Sequence, residues 1–141
     1  MTPRKKRPAR KPARKAAAKK RSVRPGFRVG EAALRKYALG FPEAYEEFPW
    51  GERVIKVRKR IFVFMRGSAD GLQVTTKLPH SYGAALLAPF AESTGYNLGK
   101  SGWVTASFEV GDHPPYDILR SWIEESYRAI APKKFSAKLD E

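Results

Sequence analysis

The chain has 141 residues, of which 42% are hydrophobic, and a formal net charge of +14. It contains no cysteine, which excludes disulfides, thiolate metal sites and a cysteine nucleophile. No apolar run approaches the length of a membrane span, and no apolar segment follows the basic N-terminus as in a secretory signal. The length predicts a single domain.

The positive charge is concentrated at the N-terminus. Residues 1–28 contain 13 Lys and Arg and no acid, whereas residues 29–141 contain 15 basic and 14 acidic residues. Because this segment has almost nothing apolar to bury, we expect a disordered basic tail over residues 1–28. Its charges predict binding to phosphates, with a solubility or localisation role as the alternative. The candidate nucleic-acid contacts in the tail are Arg4, Lys5, Lys6, Arg7, Arg10, Lys11, Arg14, Lys15, Lys19, Lys20, Arg21 and Arg24.

A folded domain is expected over residues 29–132. Apolar residues at helical spacing predict a first helix from about Val29 to Leu39. The acidic and aromatic segment 41–50 follows it. Its carboxylates, together with one that follows it, could form a metal or acid/base cluster, but no histidine is near and the spacing matches no ligand motif, so a solvated loop is favoured. These carboxylates are Glu43, Glu46, Glu47 and Glu52.

Three short strands come next, at residues 54–57, 61–66 and 72–77. A basic turn joins the first two, and Asp70-Gly71, a strong hairpin signal, joins the second and third. A helix at 79–90, a loop at 91–102, a strand at 103–110 and a last helix ending near Ile130 complete the domain. Residues 133–141 are expected to be a flexible C-terminus. Short turns require antiparallel pairing, so the predicted fold is α+β, with an antiparallel sheet and helices packed on one face.

The opposite sheet face is the candidate docking surface. Strand alternation places lysines, hydroxyls and an indole there, which suit phosphate contacts, supporting hydrogen bonds and base stacking. Plain solvated charge is the alternative for the cations. For Trp103 the alternative is a partly buried anchor, with Lys100 over its ring as a cation–π pair. The candidate nucleic-acid contacts in the body are Lys56, Arg58, Lys59, Arg60, Lys77, Lys100 and Trp103, beside the polar Gln73, Thr75, Thr105 and Ser107.

No reaction is indicated by the sequence. His80 and His113 each lie near a predicted helix start with no second ligand in view. No nucleophile elbow and no glycine-rich phosphate loop occurs. We therefore predict no catalytic residue, no metal site and no cofactor, and we do not expect an enzyme.

Two motifs resemble one known family. FPWGERVIKVRKRIFVFM at residues 48–65 and YNLGKSGW at residues 96–103 are similar to the hairpin and the Tyr-x-Leu-x-Lys-x-x-Trp element of the MmcQ/YjbR family. The resemblance covers residues 29–132. It implies a CyaY/frataxin-like topology and DNA binding, with no catalytic residue to carry over. Gly99, Ser101-Gly102 and Val104 depart from the family pattern, which implies weaker binding by the body and more dependence on the tail. The tail itself is similar in composition to linker-histone tails.

Three functions are considered. The first is a DNA-binding protein of low sequence specificity, monomeric and nucleoid-associated in a bacterial cytoplasm, with RNA as the alternative partner and no membrane contact. The second is a small-molecule or protein-interaction module that the tail recruits to nucleic acid. The third is an enzyme or frataxin-like metal handler that uses the carboxylates of segment 41–50. Binding of DNA by the body favours the first, and a metal-dependent melting temperature favours the third.

Overall fold

The structure, a computed structural model, describes residues 26–49, 52–95 and 98–141. The strands are β1 (Tyr45–Glu47), β2 (Arg53–Val57), β3 (Arg60–Gly67), β4 (Gly71–Lys77), β5 (Ala91–Ser93) and β6 (Trp103–Glu109). The helices are α1 (Arg28–Leu39), α2 (Tyr82–Ala85), α3 (Tyr116–Ile130) and α4 (Lys133–Ser136), with 3-10 turns at Leu98–Ser101 and Ala137–Asp140. The strands form one six-stranded antiparallel sheet in the order β1-β2-β3-β4-β6-β5.

The core lies between one face of this sheet and helices α1 and α3. Leu34 and Ala38 of α1 are buried, as are the apolar positions that recur along α3 at helical spacing. Along β4 the buried Leu72, Val74 and Thr76 alternate with residues of the opposite face. The prediction of an α+β fold, with an antiparallel sheet and helices on one face, is confirmed. The CyaY/frataxin-like topology stays a prediction.

A β-bulge interrupts the pairing of β2 with β3. Ile55 pairs with Val63 but Lys56 pairs with Ile61, which leaves Phe62 as the extra residue. The Phe62 ring is buried in the core. A bulge bends and twists its strand. It therefore sets the direction of the hairpin that carries the basic turn.

Two edge strands lie where the sequence predicted loops. β1 falls within segment 41–50 and β5 within segment 91–102, and each pairs with a single neighbour. Strands of three residues have too little alternation to be recognised from a local pattern. The second helix is also shorter than predicted and spans only Tyr82–Ala85. Pro89 has no N–H to donate to the Ala85 carbonyl, and in a continuing helix its ring would clash with that carbonyl.

Both ends of the predicted domain need correction. Phe27 is 5% exposed and its N–H donates to the Ser68 carbonyl at 3.2 Å, so the folded part begins before residue 29. The remainder of the predicted tail, residues 1–25, lies outside the described residues. At the other end, α4 and a 3-10 turn occupy residues 133–140, where a flexible terminus was predicted. Phe135 is 6% exposed, and the burial of its ring offsets the entropy of ordering this segment.

Among the described residues, no helix is long and apolar enough to cross a membrane.

Candidate nucleic-acid interface

A groove of about 390 Å³ lies on the sheet face opposite α1 and α3. Adjacent strands provide its lining residues, because Lys77 of β4 pairs with Trp103 of β6, and Lys56 of β2 pairs with Ile61 of β3. We call it the hairpin groove. It brings together five of the body residues predicted to contact nucleic acid. Its lining residues are Lys56, Lys59, Arg60, Ile61, Phe64, Lys77, Leu98, Ser101, Trp103 and Ile130.

The four cations of the hairpin groove differ in how far they are neutralised. Lys56 Nζ lies 3.0 Å from Glu47 Oε1, so this lysine is already paired. Arg60 Nη1 donates a long 3.5 Å hydrogen bond to the Ile130 carbonyl. Lys59 and Lys77 form no salt bridge within the described ranges. Lys59 and Lys77 are therefore the cations most available to a phosphate.

The aromatic part of the groove forms its floor. Trp103 is 8% exposed, and its ring meets the Phe64 ring edge-on with centroids 5.6 Å apart. A ring covered in this way presents no face on which a base could stack. Lys100 is exposed on the 3-10 turn between two lining residues, and no cation–π contact joins it to Trp103 among the described residues. Of the alternative interpretation of Trp103, the buried anchor agrees with the structure, but the cation–π pair with Lys100 is not found among the described residues.

A ladder of polar side chains continues from the groove along the same face. The Thr75 and Thr105 hydroxyls lie 2.9 Å apart, and Thr94 is 3.0 Å from Thr105. Gln73 Nε2 donates to Ser107 Oγ at 3.4 Å. The polar residues predicted for this face do lie together on it. The ladder leads to a larger cavity of about 650 Å³ whose lining includes Arg66, Gln73, Phe90, Ser107, Phe108 and His113.

The turn between β2 and β3 has an unusual backbone for its sequence. Arg58 and Lys59 both have positive φ, at 51° and 68°. A two-residue turn with both residues left-handed normally carries Asn-Gly, because Cβ atoms are strained there. Arg58 does not line the groove. Its guanidinium carbon lies 4.9 Å from the centroid of the Phe135 ring instead.

Sequence reasoning missed two further lysines that lie beside this turn. Lys134 and Lys138 place their Nζ atoms 5.4 Å and 5.6 Å from the centroid of the Phe135 ring. The signal in the sequence was Lys133-Lys134-Phe135, a pair of cations next to an aromatic residue. This motif lies in the segment that the sequence predicts to be a flexible C-terminus.

Glu46 of segment 41–50 lies in β1 and is bound by two arginines, which corrects the prediction of a solvated loop at this position. Glu46 accepts hydrogen bonds from Arg35 Nε and Nη2 at 2.8 Å and 3.0 Å, and Arg53 Nε is 2.5 Å from Glu46 Oε2. Arg53 also pairs with Glu31 at 2.7 Å. The Arg35 hydrogen bonds, with the charge of Arg53, hold the pKa of Glu46 below its ordinary value. Within the described ranges, no group of three or more His, Cys, Asp or Glu could hold a metal ion.

The twelve tail candidates lie outside the described residues, as do Trp50, Gly51, Tyr96 and Asn97 of the two family-like motifs.

Comparison with known proteins identifies the family. The YjbR family model matches residues 39–129, which is more than half of the chain. No curated protein matches the sequence significantly. Among solved structures, the Deinococcus radiodurans protein DR2400, a DUF419 domain, is similar with a TM-score of 0.60. The two sequences are 23% identical, and the match covers 77% of this chain and 86% of that one, so the likeness concerns the fold. The chain belongs to the YjbR family.

Proposed function

We propose that this protein binds nucleic acid, with duplex DNA as the partner and little preference for sequence. The observation that carries the proposal is the convergence of Lys56, Lys59, Arg60 and Lys77 on one groove of a sheet face. The basic N-terminal segment supplies a second and larger source of positive charge. On this proposal the protein acts as a monomer on the nucleoid of a bacterial cytoplasm.

The chemistry of the groove favours phosphates over bases. Lys59 and Lys77 offer ammonium donors, while the indole of Trp103 is recessed in the floor. Contacts to phosphate position a protein on DNA but carry no sequence information by themselves. Each phosphate that is neutralised adds about −0.9 to the slope of log K against log salt. The groove is therefore expected to add affinity that falls with salt and differs little between sequences.

The test is a salt series with the full chain. Binding to a fluorescein-labelled duplex of mixed sequence is followed by anisotropy between about 50 and 200 mM salt. We expect Lys59→Gln with Lys77→Gln to make the slope shallower by about 2 units. Lys36→Glu, on the exposed surface of α1, changes the net charge equally and is expected to leave the slope nearly unchanged. An equal slope for the groove variant and the wild type would show that the groove is not the interface.

The N-terminal contribution is measured separately. A chain that starts at Gly26, checked by circular dichroism for the same fold, is expected to bind more weakly and with a much shallower slope. Complete loss of binding at the lowest salt would mean that the folded body does not bind DNA by itself and that the basic segment supplies all of the affinity.

A second candidate function rests on the cavity of about 650 Å³. Its volume falls within the range of small-molecule sites, and its polar lining contains Arg66 and His113 together with the acids Glu109 and Asp112. A ligand in this cavity is expected to raise the melting temperature of the full chain and to leave the salt slope of DNA binding unaltered. A thermal-shift screen of small polar and zwitterionic molecules tests this function, and Arg66→Gln is the variant expected to remove a genuine shift.

A further inference from the structure

Three cations surround one aromatic ring at the C-terminus. Arg58 Cζ lies 4.9 Å from the centroid of the Phe135 ring, and the Nζ atoms of Lys134 and Lys138 lie 5.4 Å and 5.6 Å from it. Their distances to a common centre keep any two of these charges within about 11 Å of each other. This upper limit is comparable with the Debye length of about 8–10 Å, so physiological salt weakens the repulsion between these charges without abolishing it. We call these residues the Phe135 cluster.

No acid in the described residues compensates the Phe135 cluster. The salt bridges found there involve none of its three cations. The acids of the same segment are Asp140, which is already bound to Arg128 at 3.0 Å, and Glu141, which forms no salt bridge within the described residues. Cation–π contacts with the ring offset only part of the repulsion, since each contributes little at a solvated site. An anion placed among the three cations would relieve the remainder.

The strained turn is an independent observation at the same place. Arg58 and Lys59 occupy two successive left-handed positions at which Asn-Gly is strongly preferred. Non-glycine residues in such positions cost stability, and they persist at sites where the side chains have another use. Two adjacent cations at the tip of a hairpin, held at that cost, are suited to contact with an anion.

The cluster is fixed relative to the hairpin groove. Arg60 lines the groove and donates to the carbonyl of Ile130, which also lines it. Ile130 ends α3, and after two intervening residues α4 begins and carries Phe135. One short rigid path therefore joins the groove to the cluster around the base of the hairpin.

We propose that the Phe135 cluster is a second contact for the phosphodiester backbone of the same nucleic acid. The hairpin turn would then lie between two phosphate contacts, with Lys59 and Lys77 at one and Arg58, Lys134 and Lys138 at the other. The cluster suits a polyanion better than a peptide, because Phe135 is 6% exposed and offers almost no apolar surface. This inference rests on the proposed function and extends its site to residues of the C-terminus.

The experiment uses the full chain and the labelled duplex DNA of the salt series. Lys134→Gln with Lys138→Gln removes two charges and keeps two long side chains in place. We expect the salt slope to become shallower by about 2 units. Between about 50 and 200 mM salt, the variant should lose roughly tenfold less affinity than the wild type. Lys134→Arg with Lys138→Arg keeps the charges and should restore the wild-type slope, which a purely structural role of the lysines would not require.

The controls separate this inference from the proposed function. Lys36→Glu makes the same change of net charge far along the chain from the cluster, and its slope should match that of the wild type. If the glutamine variant has the wild-type slope while the Lys59/Lys77 variant does not, the Phe135 cluster is no contact although the groove is one. If both have the wild-type slope, both proposals are wrong. Equal melting temperatures of the glutamine and arginine variants show that a change in slope does not come from unfolding of α4.

Discussion

The Ser126 hydroxyl donates a 2.6 Å hydrogen bond to the Phe62 carbonyl oxygen in the interior of the protein. The same hydroxyl oxygen accepts a hydrogen bond from the Lys77 amide at 2.9 Å. Phe62 is the extra residue of the bulge in β3, and Lys77 is the last residue of β4. One serine of α3 thus bridges β3 and β4 just beyond their last pair, Val63–Thr76, and it holds the backbone of Lys77, whose side chain lines the groove.

Replacement of this serine is expected to destabilise the fold. Ser126→Ala leaves the Phe62 carbonyl and the Lys77 amide unsatisfied, and an unsatisfied buried polar group costs about 1–3 kcal/mol. We expect a loss of about 2–3 kcal/mol in the free energy of unfolding, measured by urea denaturation. Ser121→Ala, at an exposed position of the same helix, should stay within about 0.5 kcal/mol of the wild type. Similar losses for both variants would show that Ser126 does not support the bulge.

Glu46 is expected to make stability depend on acid pH. Its folded-state pKa is lowered from 4.5, chiefly by the hydrogen bonds from Arg35, so folding favours the ionised carboxylate. Such a contribution is fully present above about pH 5 and is lost as the pH falls through the folded-state pKa. Because the Arg35 side chain is partly exposed and solvent screens its ion pair, Glu46→Gln should cost about 1–2 kcal/mol near neutral pH. The difference from the wild type should shrink below about pH 4.5.

Urea denaturation across this pH range checks the prediction, with Glu43→Gln as the control. Glu43 is exposed, and it forms no salt bridge within the described residues. Its replacement should change the free energy of unfolding by less than about 0.5 kcal/mol. A constant difference for Glu46→Gln would mean that the ion pairs with Arg35 and Arg53 contribute no net stability.

The basic turn predicts opposite effects on stability and on binding. Arg58→Asn with Lys59→Gly puts the preferred residues into the two left-handed positions and relieves about 1–2 kcal/mol of strain at each. The variant loses the cation–π contact with Phe135, about 0.5–1 kcal/mol, and glycine gives the unfolded chain more freedom. We expect a net gain of about 1 kcal/mol in the free energy of unfolding.

The same variant should bind duplex DNA more weakly, with a salt slope shallower by 1 to 2 units, at about 0.9 for each lost phosphate contact. Thermal denaturation and the anisotropy series give the two measurements on one preparation. The single variant Lys59→Gly shows how much of the change in the salt slope comes from Lys59 and how much from Arg58. A variant that is more stable and binds as tightly as the wild type would show that the turn takes no part in binding.

The sheet face could be predicted from the sequence because a strand alternates with period two. Thr75 and Thr105 were expected on the same face, and the register places them directly opposite each other. The Asp70-Gly71 signal likewise located the turn between β3 and β4. Alternation says which face a side chain takes but not what covers it there. The burial of Trp103 depends on Phe64 of a strand two places away, so it could not be read from local spacing.

The rest of the site depended on contacts between distant segments. Lys56 is paired with Glu47 only because β1 joins the edge of the sheet, and β1 was too short to recognise. The Phe135 cluster needs the last nine residues to fold back beside a turn more than seventy residues earlier in the chain. Composition alone favoured a frayed end there, since Lys133 and Lys134 are poor candidates for burial. Burial of the Phe135 ring instead holds this segment against the rest of the protein.

The two edge strands of the sheet affect how closely copies of the protein can lie without aggregating. β1 and β5 are three residues each and carry Glu46, Glu47 and Glu92. An exposed strand with unpaired backbone is a template for aggregation between sheets, and short length and charge are the usual protection against it. Copies that gather along one DNA molecule, as proposed here, raise their own local concentration. The short length of both edge strands, and the carboxylate of Glu92 on β5, which forms no salt bridge within the described residues, would then let neighbouring copies lie side by side without pairing their sheets.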